Sequence, residues 1–140
     1  LVGSEMCIRD RTIAILGLTY KPNTDVIEES APVKIAVSLR QKGATLSVYD
    51  PAGMEDARQV LGADGIRYAN SAAECLKNSE FCLLATPWEE FKSLTADDFN
   101  RSMKKPRLLD CWRIFNRPEF REKTEYFAIG LAPERVSIEV

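Results

Sequence analysis

The chain has 140 residues, of which 45% are hydrophobic and 29% charged, and its formal net charge is −2. This length allows one well-buried core and is too short for two ordinary domains, and the near-neutral charge provides no basic field for a nucleic acid. No apolar run reaches the roughly 20 residues of a membrane-spanning helix and no secretory signal is recognisable, so we expect a cytoplasmic protein without a nucleic-acid or membrane partner.

The first ten residues, LVGSEMCIRD, have neither a strand period nor a helix period. They resemble a translated adapter from assembled sequence, which predicts that residues 1–10 are not native. On this interpretation residues 11–140 form one domain, and the reading frame is cut just before a core strand. The chain is therefore expected to be part of a longer protein.

The native part begins with an apolar run at residues 12–18, of the continuous kind typical of a parallel strand covered on both faces. A polar loop follows, and a helix is predicted from Ser30, a good N-cap, with Pro32 in its first turn. Gly43 is expected to end that helix.

The later segments continue this alternation of strand and helix. Further strands are predicted at 45–49, 66–68, 81–85, 107–110 and 125–129, and further helices at 54–61, from Ser71, at 88–94 and at 95–103. The alternation favours an α/β, Rossmann-like, doubly wound fold with a mainly parallel sheet and helices on both faces. Ligands bind such sheets at the carboxyl ends of the strands, so the candidate site residues follow Leu18, Tyr49, Ala85 and Asp110.

The loop after the first strand has one glycine, Gly17, where a dinucleotide fingerprint needs three. This argues against a standard NAD pyrophosphate site in the loop. Tyr20 and Lys21 instead place an aromatic ring beside an ammonium group, a combination suited to a phosphorylated, ring-containing ligand. The alternative is a solvated lysine and a tyrosine packed on the loop.

Two other strand ends carry acidic residues. Asp50 lies farther from the first loop than the ribose-binding carboxylate of a Rossmann domain, which favours a turn or capping role. After Asp110, the side chain of Arg113 is suited either to a phosphate or carboxylate or to an ordinary salt bridge. A phosphoacceptor receiver domain is disfavoured because Thr19 and Tyr20 stand where it needs an acidic pair.

The sequence contains four cysteines and no histidine. None of the cysteines belongs to a C-x-x-C pair, so the usual zinc ligand sets are lacking and no metal site is predicted. Cys82 lies in an apolar run, where a free thiol behaves as a small buried hydrophobe.

Four separate motifs resemble, in order and spacing, the C-terminal domain of the UDP-glucose/GDP-mannose dehydrogenase family. They are Leu16 to Asp25 with Glu29 to Pro32, then Val48 to Pro51, Ala85 to Phe91 and Leu109 to Arg113. The resemblance covers nearly all of residues 11–130, and the agreement of several motifs makes it specific.

The resemblance implies a three-part enzyme that oxidises the primary alcohol of a UDP-sugar to a uronic acid in two NAD-dependent steps. An N-terminal domain holds NAD, a central helical region bears the nucleophilic cysteine, and the third domain, present here, holds UDP. It implies that no catalytic residue lies in this chain, so Cys75, Cys82 and Cys111 are not the nucleophile. The chain alone is expected to be inactive, and the full-length protein to be a homo-oligomer.

By the same resemblance, Tyr20 and Lys21 match the family's aromatic-lysine pair, which contacts the nucleotide sugar. Glu28 stands where the family commonly has an arginine facing the NAD phosphates. The family often has Asp-Gly-Arg after its later strand, whereas this chain has its arginine one residue later, at Arg113. The predicted substrate-binding residues are therefore Tyr20, Lys21 and Arg113. A rival hypothesis is a stand-alone nucleotide-binding or assembly module without catalysis.

Overall fold

The computed structural model describes residues 8–129. In chain order the elements are β1 (Thr12–Leu16), α1 (Ala31–Gln41), β2 (Thr45–Tyr49), α2 (Met54–Leu61), β3 (Ile66–Tyr68), α3 (Ala72–Leu76), β4 (Phe81–Leu84), a 3₁₀ helix (Glu89–Ser93), α4 (Ala96–Ser102), β5 (Arg107–Asp110), α5 (Pro118–Lys123) and β6 (Glu125–Ala128). Of the segment predicted to be non-native, residues 1–7 lie outside the described residues. Residues 8–10 are described, and the Asp10 amide donates to the Gly43 carbonyl at 2.9 Å.

The six described strands form one sheet in the order β3-β2-β1-β4-β5-β6, and every pairing is parallel. Alternate residues of β1 enter two separate cores, because successive side chains of a strand point to opposite faces. Ile13 and Ile15 pack with α1 and α2, whereas Ala14 and Leu16 pack with α3, α4 and α5. The predicted Rossmann-like, doubly wound fold is confirmed.

Helix α1 begins as its sequence predicts. Ser30 has extended backbone angles and its Oγ accepts a hydrogen bond from the Val33 amide, while Pro32 occupies the first turn, where its missing N–H has no consequence. The buried face of the helix includes Val33 and Ala36. Gly43 follows the helix with a φ of +98°. No helix among residues 8–129 is long and apolar enough to cross a membrane.

Several elements differ from the sequence prediction, and β4 and β6 each end one residue earlier than predicted. Strand β1 ends at Leu16 rather than at residue 18, because Gly17 turns the backbone with a φ of +100°. Residues 89–93 form a 3₁₀ helix rather than an α-helix. Helix α5 was not predicted, because its only buried residue is Phe120 and six residues carry too little periodicity to recognise.

Candidate functional site

The loops that follow the central strands meet at the carboxyl edge of the sheet. β1 and β4 are neighbours, and the chain proceeds from β1 toward one side of the sheet and from β4 toward the other. This is the switch point at which doubly wound sheets bind ligands. Gly17 allows a close approach there: a Cβ at this residue would lie 2.5 Å from the Thr86 amide nitrogen.

The buried carboxylate of Asp50, at the end of β2, organises the loop after β1. Its Oδ2 accepts hydrogen bonds from the Leu18 amide at 2.7 Å and from the amide and hydroxyl of Thr19, both at 3.0 Å. Its Oδ1 accepts from the amides of Ala52 and Gly53 at 2.8 Å. The predicted turn role of Asp50 is confirmed, and the carboxylate also ties two loops together.

A third loop joins this network through Trp88, which lies beyond β4. The indole Nε1 of Trp88 lies 3.1 Å from both Thr19 Oγ1 and Asp50 Oδ2, so one N–H is shared between two acceptors. The Thr86 hydroxyl donates to the Thr19 carbonyl at 2.9 Å. The backbone after β1 is therefore held by side chains from the ends of β2 and β4.

Tyr20 and Lys21 continue directly from this fixed backbone. The Tyr20 amide donates to the Val26 carbonyl at 2.8 Å, which closes the loop on itself. The Tyr20 side chain is 59% exposed, and Lys21 is also exposed. Neither side chain makes a hydrogen bond or ion pair with any residue between 8 and 129. The loop thus presents an aromatic ring and an ammonium group to solvent at the switch point, rather than packing them.

The carboxylate of Asp110 holds the loop after β5, as that of Asp50 holds the loop after β1. Its Oδ1 accepts from the amides of Trp112 at 3.1 Å and Ile114 at 3.3 Å. Its Oδ2 accepts from the Phe115 amide and the Tyr126 hydroxyl, both at 2.8 Å. Burial, followed by this hydrogen bond, raises the pKa of the Tyr126 phenol. The loop at residues 111–115 is therefore as firmly held as the loop after β1.

Arg113 lies on this held loop, in the left-handed region with a φ of +57°. Its side chain is exposed and forms no salt bridge within the described part of the chain. The neighbouring Trp112 is 56% exposed, and its Nε1 donates to the Ala85 carbonyl at 2.9 Å.

Residues 14–117 match the UDP binding domain of the UDP-glucose/GDP-mannose dehydrogenase family. The chain belongs to this family. A UDP-glucose 6-dehydrogenase of Rhizobium meliloti is 36% identical over 124 residues, which make up 88% of this chain and 28% of that relative. A UDP-glucose 6-dehydrogenase of Haloferax volcanii is 38% identical over 109 residues, covering 78% of this chain and 24% of the relative. The chain thus spans only a minor part of the length of these relatives.

Two solved structures share the architecture. A UDP-glucose dehydrogenase from Pyrobaculum islandicum superposes with a TM-score of 0.68 at 33% identity, over 85% of this chain and 25% of that one. A UDP-D-ManNAc dehydrogenase from Pyrococcus horikoshii superposes with a TM-score of 0.69 at 22% identity, over 90% and 27% of the two chains. The second match bears on the fold alone.

Glu28, predicted to stand where the family commonly has an arginine, is exposed. It lies at an apolar groove lined by Ile27, by Val33 of α1 and by Val60 of α2. The three cysteines among residues 8–129 have properties opposite to those of a nucleophilic thiolate. Burial raises the pKa of Cys111 to about 11, and two further thiols, of Cys75 and Cys82, are fully buried.

The sequence interpretation missed the connection between Asp50, Thr19 and Trp88. Each residue follows a strand, and this was the available signal, because parallel strands deliver their following residues to one edge of the sheet. The pairing itself spans 38 residues between Asp50 and Trp88. No local pattern encodes such a contact.

Proposed function

We propose that this chain is the nucleotide-sugar-binding domain of a longer NAD-dependent UDP-sugar dehydrogenase, of the UDP-glucose 6-dehydrogenase type. The full enzyme would oxidise the primary alcohol of the sugar to a uronic acid. The observation that carries the proposal is the exposed pair Tyr20 and Lys21, presented by a fixed backbone at the switch point of a family UDP-binding domain.

In this proposal the Lys21 ammonium neutralises charge on the diphosphate, and Tyr20 lies against the ligand beside it. Arg113 supplies a second cation, from the loop after β5. These three residues bind and orient the substrate. The attraction between Lys21 and the diphosphate becomes stronger where the rest of the enzyme excludes water from the site.

The residues at this edge do not fit an NAD pyrophosphate. A pyrophosphate in a Rossmann domain is bound by free backbone amides of a glycine-rich turn. Here the amides of Leu18 and Thr19 already donate to Asp50, and the loop has only Gly17 in place of three glycines. We therefore assign NAD mainly to another domain of the longer protein, together with the catalytic nucleophile.

This assignment makes the isolated chain inactive, with its other domains and further copies of the full-length enzyme as partners. The free thiols of Cys75, Cys82 and Cys111 suit the reducing cytoplasm, where we place the enzyme. A stand-alone binding module is the second candidate, favoured by the carboxylate of Glu28 in place of the family's arginine. A gene lacking an upstream glycine-rich NAD motif would support that alternative.

Calorimetric titration of UDP into the chain, at low and at moderate salt, tests the proposed site. Lys21→Ala is expected to weaken binding by roughly 10- to 100-fold, because a hydrogen bond to a charged group is lost. It should also flatten the salt dependence. Lys77→Ala is the matched control, because Lys77 is exposed and lies before β4, at the opposite edge of the sheet. Folded protein that binds no UDP at millimolar concentration, or binds equally well without Lys21, would contradict the proposal.

A further inference from the structure

The exposed indole of Trp112 lies after β5, at the same edge of the sheet as the proposed diphosphate site. Its Nε1 is bonded to the Ala85 carbonyl, and the next residue, Thr86, is bonded through its hydroxyl to Thr19, which precedes Tyr20. Trp112 and Thr19, the residue before Tyr20, are thus both bonded to the end of β4. β1 and β5 both neighbour β4, so their ends stand about 10 Å apart.

Trp112 is exposed but not free to reorient. Its amide donates to Asp110 Oδ1 at 3.1 Å, and the same loop is anchored by Phe115, which is fully buried. Because the indole N–H is already bonded within the protein, the side chain offers a ligand only its π surface. A ring that is held in place before binding also loses little conformational entropy on binding, which favours affinity.

The neighbouring Arg113 has a different environment. Its side chain makes no hydrogen bond or ion pair within residues 8–129. Trp112 instead is bonded to the end of β4, which lies between β5 and β1. Of these two exposed neighbours, Trp112 is therefore the one whose side chain is held at the end of β4, the strand next to β1.

We infer that Trp112 forms a stacking face for one ring of the bound nucleotide sugar, either the uracil or the hexose. The inference rests on the proposed function, in which Lys21 binds the diphosphate between those two rings. Stacking of a base on an aromatic side chain typically changes affinity by about 5- to 150-fold. Trp112 is thereby assigned a recognition role that is independent of charge.

The test is titration of UDP and of UDP-glucose into the chain and into Trp112→Ala, Trp112→Phe and Val60→Ala. Trp112→Ala is expected to weaken binding of at least one ligand roughly 10-fold, whereas Trp112→Phe retains a ring and should stay within about 3-fold. Val60 is similarly exposed, at 56%, but lies on α2, so its replacement should change nothing. A loss seen with both ligands identifies uracil as the stacked ring, and a loss confined to UDP-glucose identifies the hexose.

A spectroscopic readout accompanies the titration. The chain contains two tryptophans, so its amide NMR spectrum has two indole N–H signals, and the one lost in Trp112→Phe belongs to Trp112. Ligand should shift that signal in the unmodified chain. Thermal melting of every variant monitors folding.

Unchanged affinity of Trp112→Ala for both ligands, with binding still weakened by Lys21→Ala, would overturn the stacking role and leave the proposed function standing. An equal loss in the alanine and phenylalanine variants, with a lower melting temperature in both, would also overturn it, because the hydrogen bond to Ala85 would then be the cause. If the folded, unmodified chain binds neither ligand, the proposed function fails and the stacking role fails with it.

Discussion

Replacing the buried carboxylate of Asp50 should destabilise the domain severely. Asp50 accepts six hydrogen bonds, and three of their donors are buried backbone amides, those of Leu18, Thr19 and Gly53. Each buried donor left without an acceptor costs about 1–3 kcal/mol, so the three amides together cost about 3–9 kcal/mol. A domain of this size has a total stability of only about 5–15 kcal/mol. We therefore expect Asp50→Ala to lower the free energy of unfolding by at least about 3 kcal/mol.

Asp50→Asn separates the role of the acceptors from that of side-chain volume. The amide has nearly the same shape, but its NH₂ group necessarily faces donors on one side of the network, so its effect should approach that of alanine. Urea unfolding, followed by far-ultraviolet circular dichroism and by tryptophan fluorescence, measures both variants. Asp64→Ala is the control, because Asp64 is exposed and its carboxylate makes no bond within residues 8–129. An asparagine variant within about 1 kcal/mol of the unmodified chain, with an unchanged m value, would refute this reasoning.

Two further substitutions test other parts of the fold. Gly17→Ala should destabilise the domain by several kcal/mol, because its Cβ would lie 2.5 Å from the backbone nitrogen of Thr86 and its φ is +100°; a midpoint shift in urea of less than about 0.3 M would contradict this. Burial raises the pKa of Cys75 from 9.0 to about 12. The neutral Cys75 thiol therefore makes its full contribution to stability below pH 9, and this contribution is lost as the pH rises toward 12. Replacing the thiol in Cys75→Ala should flatten the fall in stability that urea unfolding measures between pH 8 and pH 10. A parallel pH dependence in both proteins would count against this role.

The elements that could be predicted from the sequence are those in which a local pattern suffices. Uninterrupted apolar runs predicted the central strands, and Ser30 predicted the start of α1, because an N-cap acts through neighbouring atoms. The end of β1 was predicted two residues too late, since Leu18 is apolar and buried although it lies beyond the turn at Gly17. Helix α5 was missed because burial of Phe120 alone leaves no periodic signal.

The candidate site could likewise be predicted from the sequence only in part. Tyr20 and Lys21 could be placed at a strand end from sequence, because position along the chain determines which edge of a parallel sheet a residue reaches. Their exposure could not be predicted, since it depends on how Asp50 and Trp88 hold the preceding backbone. Similarly, Trp112 and Arg113 are adjacent in sequence, and only the hydrogen bond of Trp112 to the end of β4 distinguishes their directions.

At this edge of the sheet, the side chains that hold the loop and the side chains that the loop exposes belong to different residues, so the two sets can be varied separately. Asp50 and Thr19 hold the loop from inside, whereas Tyr20 and Lys21 make no side-chain hydrogen bond or ion pair within residues 8–129. Replacements at the two exposed positions should therefore be nearly neutral for folding, as is usual for surface sites of this kind. Variants at Tyr20 and Lys21 can therefore be compared for ligand binding without a confounding change in folding.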